Sequence, residues 1–212
     1  MTNEEILKQI KGGLIVSCQA LESEPLYDSY IMSKMAYAAY LGGAVGIRAN
    51  TVVDIKAIKE RVDLPVIGII KQEYNDSEVY ITPTMKEVDA LVNEGCDIIA
   101  LDATNRLHPN GVTLEEFFTE VRKKYPNQLF MADTSCFDEG KKAEELGFDL
   151  IGTTMAGYTE YTKGTSLPDF TLMKRYVTEL HTPVIAEGGI WVPEQLKKAI
   201  DIGVHAAVVG TA

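Results

Sequence analysis

The sequence predicts a single (β/α)8 barrel over residues 1–212. Three observations predict it. Eight short apolar runs recur at an average interval of about 27 residues, which leaves room each time for one helix and two loops. Most of the runs are rich in Val, Ile or Leu and do not alternate with polar residues, the pattern of strands buried on both faces of a parallel sheet. The residues leading into the runs also alternate, glycine before the even-numbered ones and proline before the third, fifth and seventh. That describes a doubled βα unit repeated around a closed ring.

In chain order, Asn3–Ile10 reads as a short helix closing the barrel floor. Leu14–Cys18 is the first strand. The helix after it carries Met32, Met35, Tyr37 and Tyr40, read as a core face. Ala44–Ile47 follows Gly42-Gly43, and Val66–Ile70 follows Pro65. Thr84-Met85-Lys86-Glu87 fits a capping box, in which the threonine accepts from an early N–H and the glutamate reaches back. Ile98–Leu101 follows Gly95, and a second capping box at Thr113-Leu114-Glu115-Glu116 precedes Leu129–Ala132, itself preceded by Pro126. Leu150–Gly152 follows Gly147, and Val184–Ala186 follows Pro183. Pro193 starts a helix to Ile202, where its missing N–H costs least. Gly203 then leads into Ala206–Val209; Gly95, Gly147 and Gly203 suit left-handed helix ends. The sequence stops at Ala212, right where strand 8 ends and without an eighth βα helix, so the apolar surface outside strands 8 and 1 is expected to be covered either by chain that continues past Ala212 or by a neighbouring subunit. An open doubly wound sheet is the alternative. It usually has five or six strands, and no Gly-x-Gly-x-x-Gly follows the first run, where the chain reads Cys18-Gln19-Ala20-Leu21.

Composition narrows the function. Twenty Lys and Arg against 31 Asp and Glu give a net charge of −11, which argues against a broad nucleic-acid-binding surface. A locally positive pocket for a small anion remains open. No apolar stretch is long enough to span a membrane, and Met1–Glu5 lacks the features of a signal peptide. Three widely spaced cysteines form neither a disulfide framework nor a metal knuckle, so the expected home is a reducing cytoplasm.

In such barrels the chemistry sits at the C-terminal ends of the strands. The first polar residues there are Gln19, Arg48, Lys71, Asp102, Asp133, Thr153 with Thr154, Glu187, and then Gly210-Thr211. Lys71 and Glu187 follow strands 3 and 7, four apart in a ring of eight. They should approach a central ligand from opposite sides, as an epimerisation requires. Burial would lower the lysine pKa and a nearby carboxylate would raise it; a Lys71–Glu187 ion pair bracing the barrel is the structural alternative. Gly188, Gly189 and Gly210 with Thr211 occupy the usual phosphate position of the fold, where backbone N–H groups can approach an anion. Arg48 suits a phosphate or a sugar hydroxyl. No convergent set of His and carboxylate groups points to a metal.

These strand ends resemble one family. Ile15-Val16-Ser17-Cys18-Gln19-Ala20, Gly46-Ile47-Arg48-Ala49-Asn50, Pro65 to Lys71, Ala100-Leu101-Asp102-Ala103-Thr104 and Met131-Ala132-Asp133 carry the likeness. So do Ile151-Gly152-Thr153-Thr154, Gly157-Tyr158-Thr159 and Val184-Ile185-Ala186-Glu187-Gly188. The chain is similar over its whole length to the N-acetylmannosamine-6-phosphate 2-epimerases of bacterial sialic acid breakdown. The resemblance implies interconversion of N-acetylmannosamine 6-phosphate and N-acetylglucosamine 6-phosphate with no metal or organic cofactor, usually by a homodimer. It implies Lys71 as the main acid/base group, Glu187 in support, and Gln19, Arg48 and Asp133 on the sugar. Asp102 joins them as a candidate ligand, and Gly157 joins the candidate phosphate binders. Two other readings of the residues stay open: a lysine Schiff-base aldolase, and a non-catalytic barrel that binds a sugar phosphate.

Overall fold

The computed structural model describes residues 1–210. Its strands are β1 (Leu14–Cys18), β2 (Gly46–Asn50), β3 (Val66–Ile69), β4 (Ile98–Asp102), β5 (Leu129–Asp133), β6 (Leu150–Gly152), β7 (Val184–Glu187) and β8 (Ala206–Val209). All pair in parallel with their sequence neighbours, and β1 pairs with β8 to close the ring. The helices are α1 (Asn3–Ile10), α2 (Ser29–Leu41), α3 (Val52–Lys59), α4 (Met85–Asn93), α5 (Leu114–Lys124), α6 (Phe137–Leu146), α7 (Phe170–Glu179) and α8 (Pro193–Ile202). The expected (β/α)8 barrel is therefore observed.

Helix boundaries follow the local chemistry. Thr84 with Glu87 and Thr113 with Glu116 form the two expected capping boxes. Thr2 with Glu5 forms a third at α1. Pro193 opens α8, and Gly147 and Gly203 end α6 and α8 in the left-handed region. Four strands extend one to three residues past their expected ends, to Asn50, Asp102, Asp133 and Glu187, while β2 starts later, at Gly46. The extension has a physical cause. Asp102 and Asp133 are register partners on β4 and β5, and each carries its own arginine, so polar residues can finish the ladder without stranding a charge.

Side chains split into two layers by strand parity. Ile15, Ile67, Ile69, Ile98, Leu129, Met131, Leu150, Ile185, Ala206 and Val208 point inward and fill the barrel, with Ile6 and Ile10 of α1 packed among them. The helix Asn3–Ile10 closes the floor as expected. The other parity packs against the helices. The inward series, continued past the apolar layers, runs Ile15-Ser17-Gln19, Gly46-Arg48, Ile69-Lys71, Met131-Asp133 and Ile185-Glu187. Period two alone delivers these polar groups to one rim.

A helix follows each of β1 to β7; among the described residues none follows β8. The eight helices are completed by α1 at the floor. Beside the gap, Val16 and its register partner Val209 are only half-buried, while β2, β4 and β5 are buried throughout. The expected core face of α2 is half right. Met32 is buried and Met35 partly so, but Tyr37 and Tyr40 are exposed: Tyr37 turns away from the buried Met32 and Ala36, and Tyr40, though on their side, stands in the last turn of the helix. Cys18 and Cys96 are buried, and burial pushes their thiols up to about 11 and about 12, consistent with packing roles. Among the described residues no helix is long and apolar enough to cross a membrane, and no cluster of His, Cys, Asp or Glu is arranged to hold a metal ion.

Candidate active site

A cavity of 440 Å³ opens at the C-terminal rim. Lys71 reaches it from the β3 side and Glu187 from the β7 side, across the ring from each other. Gln19, Arg48, Gly188, Gly189 and Gly210 also line it.

Arg48 organises the charges. Buried at the end of β2, its guanidinium grips Asp133 with two bonds, Nη2 to Oδ2 at 2.6 Å and Nη1 to Oδ1 at 3.2 Å. Nη1 also meets Glu187 Oε2 at 3.0 Å. Thr154 Oγ1 donates to Asp133 Oδ1 at 2.6 Å and lies 3.2 Å from Glu187 Oε2. Burial opposes the arginine charge, but Asp133 and Glu187 outweigh it and raise its pKa. Burial pushes Glu187 up to about 7, helped by Asp133 and resisted by Arg48, Thr154 and Lys71.

Lys71 forms no ion pair within the described residues, so the bracing Lys71–Glu187 pair is not what the fold builds; Glu187 is paired with Arg48 instead. Burial, then the Arg48 charge, lowers the lysine pKa against the pull of Glu187, Glu24 and Asp133. The lysine backbone is fixed. Its N–H donates to Asn50 Oδ1 at 2.8 Å, and it bridges Ile81 across a hairpin formed by residues 70–82. Thr82 anchors the far arm, donating from Oγ1 to the Ala100 carbonyl at 2.7 Å.

At the β7 and β8 ends, Gly188 and Gly189 have φ of 107° and 68°, and with Gly210 their N–H groups donate to no acceptor among the described residues. A side chain at Gly189 would place its Cβ 2.4 Å from that of Leu167. The backbone there is open to an anion.

Three expected ligands sit away from the cavity wall, and Thr211 lies outside the described residues. Asp133 lies beneath Arg48, which covers it. Asp102 points inward but is taken by Arg106 Nη2 at 2.5 Å and by Thr104 Oγ1 at 2.7 Å. Gly157 gives its N–H to Thr162 Oγ1 at 3.1 Å, so it has none left for a phosphate.

Residues 32–212 match the family model described as "Putative N-acetylmannosamine-6-phosphate epimerase". The chain belongs to this family. A relative from Borreliella afzelii, named putative N-acetylmannosamine-6-phosphate 2-epimerase, is 56% identical over 210 residues, covering 98% of this chain and 90% of its own. One of the same name from Caldanaerobacter subterraneus is 53% identical over 208 residues, covering 98% and 88%. The solved structure of the N-acetylmannosamine-6-phosphate 2-epimerase from Clostridium perfringens superposes with a TM-score of 0.91 at 53% identity, covering 96% of this chain and 88% of that one.

Within this epimerase-family barrel, loops add cavity residues that strand-end reading misses. Glu24 comes from the β1–α2 loop, Tyr80 and Ile81 from the hairpin, Tyr158 from the β6–α7 loop and Trp191 from the β7–α8 turn. The 15 residues between β3 and α4 were a usable signal, since such connections normally run to about 2–6 residues and longer ones tend to carry function.

Proposed function

We propose that this chain interconverts N-acetylmannosamine 6-phosphate and N-acetylglucosamine 6-phosphate by moving a proton off and onto C2. The observation that carries the mechanism is the pairing of an ion-pair-free Lys71 with Glu187 on opposite walls of one cavity. In the open-chain sugar, C2–H is acidified by the adjacent aldehyde. Neutral Lys71 takes that proton, and the electron pair flows through C1=C2 onto the C1 oxygen. Burial favours the neutral amine that this step needs. Glu187, whose carboxyl burial raises to about 7, is partly protonated near neutral pH and in that form returns a proton from the other face. Asp133 keeps the Arg48 fork oriented, and Gln19, whose Oε1 is buried without a partner, offers an acceptor to a sugar hydroxyl. The open N–H groups of Gly188, Gly189 and Gly210 receive the 6-phosphate. We further propose that the enzyme works in the cytoplasm as a homodimer.

Proton NMR of either hexosamine phosphate in D2O tests the reading. Both epimers should form, with deuterium entering at C2. Substrate recovered unchanged and unlabelled from folded enzyme refutes it. Light scattering on the eluted protein reports the dimer.

A further inference from the structure

Removing the C2 proton loads negative charge onto the C1 oxygen, and something must donate a hydrogen bond to it. Lys71 must be neutral to act as base, so its charge is not available for that purpose. Arg48 Nη1 is divided between Asp133 and Glu187, and Nη2 also grips Asp133. Thr154 gives its proton to Asp133. Ser17 lies beside Gly210, at the phosphate end.

Tyr80 is left. Tyr74, Tyr125 and Tyr176, the other tyrosines that are not exposed, all bond through their hydroxyls, to Glu87, to Asp89, and to Thr134 and the Cys136 carbonyl. Tyr80 is half-buried in the cavity wall, and its hydroxyl has no partner among the described residues. It stands on the hairpin arm facing Lys71: the Tyr80 carbonyl accepts from Gln72 N–H at 2.9 Å, and Ile81 bridges Lys71. With the phosphate seated at β7–β8, the C1–C2 end of the sugar reaches toward this β3 side.

We propose that the Tyr80 hydroxyl donates a hydrogen bond to the C1 oxygen as the enolate forms. This rests on the epimerase reading above. The proton moves from C2 to Lys71 Nζ, the C–H electron pair becomes the C1=C2 bond, and the carbonyl pair moves to oxygen, where the Tyr80 O–H meets it without being transferred. Burial and the neighbouring Asp102 charge raise the phenol pKa, so Tyr80 remains a donor across the working range.

Tyr80→Phe tests the proposal, with kcat, KM, C2 deuterium exchange and melting temperature measured beside the wild type. The expected result is a kcat and exchange rate lower by about 10²-fold, with KM changed less than about threefold and melting unchanged. Where Tyr80→Phe proves unstable, 3-fluorotyrosine at position 80 keeps the bulk and the hydroxyl, and should change kcat but not KM. An unaltered kcat, or a loss confined to KM, overturns the role of Tyr80. A wild-type enzyme that neither epimerises nor exchanges overturns the function itself.

Discussion

Glu187→Gln should make the protein more stable and less active, and the size of the gain can be worked from the site. Glu187 Oε2 accepts from Arg48 at 3.0 Å and lies 3.2 Å from Thr154 Oγ1, whose proton goes to Asp133, while Oε1 has no partner among the described residues. A glutamine can keep the Arg48 bond through its carbonyl oxygen and turn its amide toward the cavity. What it removes is the burial cost of the charge. Raising the carboxyl from 4.5 to about 7 corresponds to roughly 3 kcal/mol once the group is ionised in both states. A carboxyl whose folded pKa lies above its unfolded one favours folding below the unfolded value and loses that advantage as pH rises through the folded one. The advantage of the variant is therefore less than about 1 kcal/mol near pH 5 and close to the full amount near pH 8. For a chain of 212 residues that is a rise in melting temperature of roughly 6–12 °C. Thermal melts of both proteins at the two pH values, with turnover measured in parallel, are the assay. A variant that melts at or below the wild type at pH 8, or a gap that ignores pH, refutes the argument. Turnover should fall by about 10²–10⁴-fold.

Four further outcomes are expected. Lys71→Met keeps or raises the melting temperature, since Nζ anchors nothing, yet loses C2 exchange by about 10²–10⁴-fold in the D2O experiment. Arg48→Met leaves Asp133 and Glu187 buried without their cation; urea titration should show a loss of about 3–5 kcal/mol near pH 8, smaller near pH 5 where Glu187 can take up a proton. Gly189→Ala, at positive φ with Leu167 in the way, should raise KM for the sugar phosphate and lower stability by about 1–3 kcal/mol, read by kinetics and melts. Ile10→Ala should cost about 2–5 kcal/mol in urea while leaving kcat intact, because α1 plugs the end opposite the cavity.

The barrel was legible because its strands are short, separately buried and flanked by glycine or proline, a pattern set by local chemistry. The rim was legible for a related reason: parity carries Arg48, Lys71, Asp133 and Glu187 inward once the strand is known. Parity does not tell a free group from a committed one. Asp102 obeys the same rule as Lys71, but Arg106, four residues on in the following loop, claims it. Gly157 looks like Gly188 in sequence, and only the fold shows its N–H spent on Thr162. Tyr80 was invisible because contacts distant in sequence place its hairpin: Arg106 to the Glu78 carbonyl at 3.1 Å, Ser77 to the Leu107 carbonyl at 2.7 Å, and Asn110 N–H to Asp76 at 2.7 Å. Tyr40 was misplaced because it shares the side of Ala36 yet stands in the last turn of α2, where that side is left exposed.

The pairing of β1 with β8 sets a timetable for synthesis. Gly12 N–H meets the His205 carbonyl at 2.6 Å, and the His205 ring meets the Leu7 carbonyl at 2.8 Å. Leu7 thus waits for a residue 198 positions further along the chain before its carbonyl is satisfied. Until Ala206–Val209 emerges, the nascent chain is a curved ribbon with bare edges at β1 and β7, the form most exposed to mispairing with another copy.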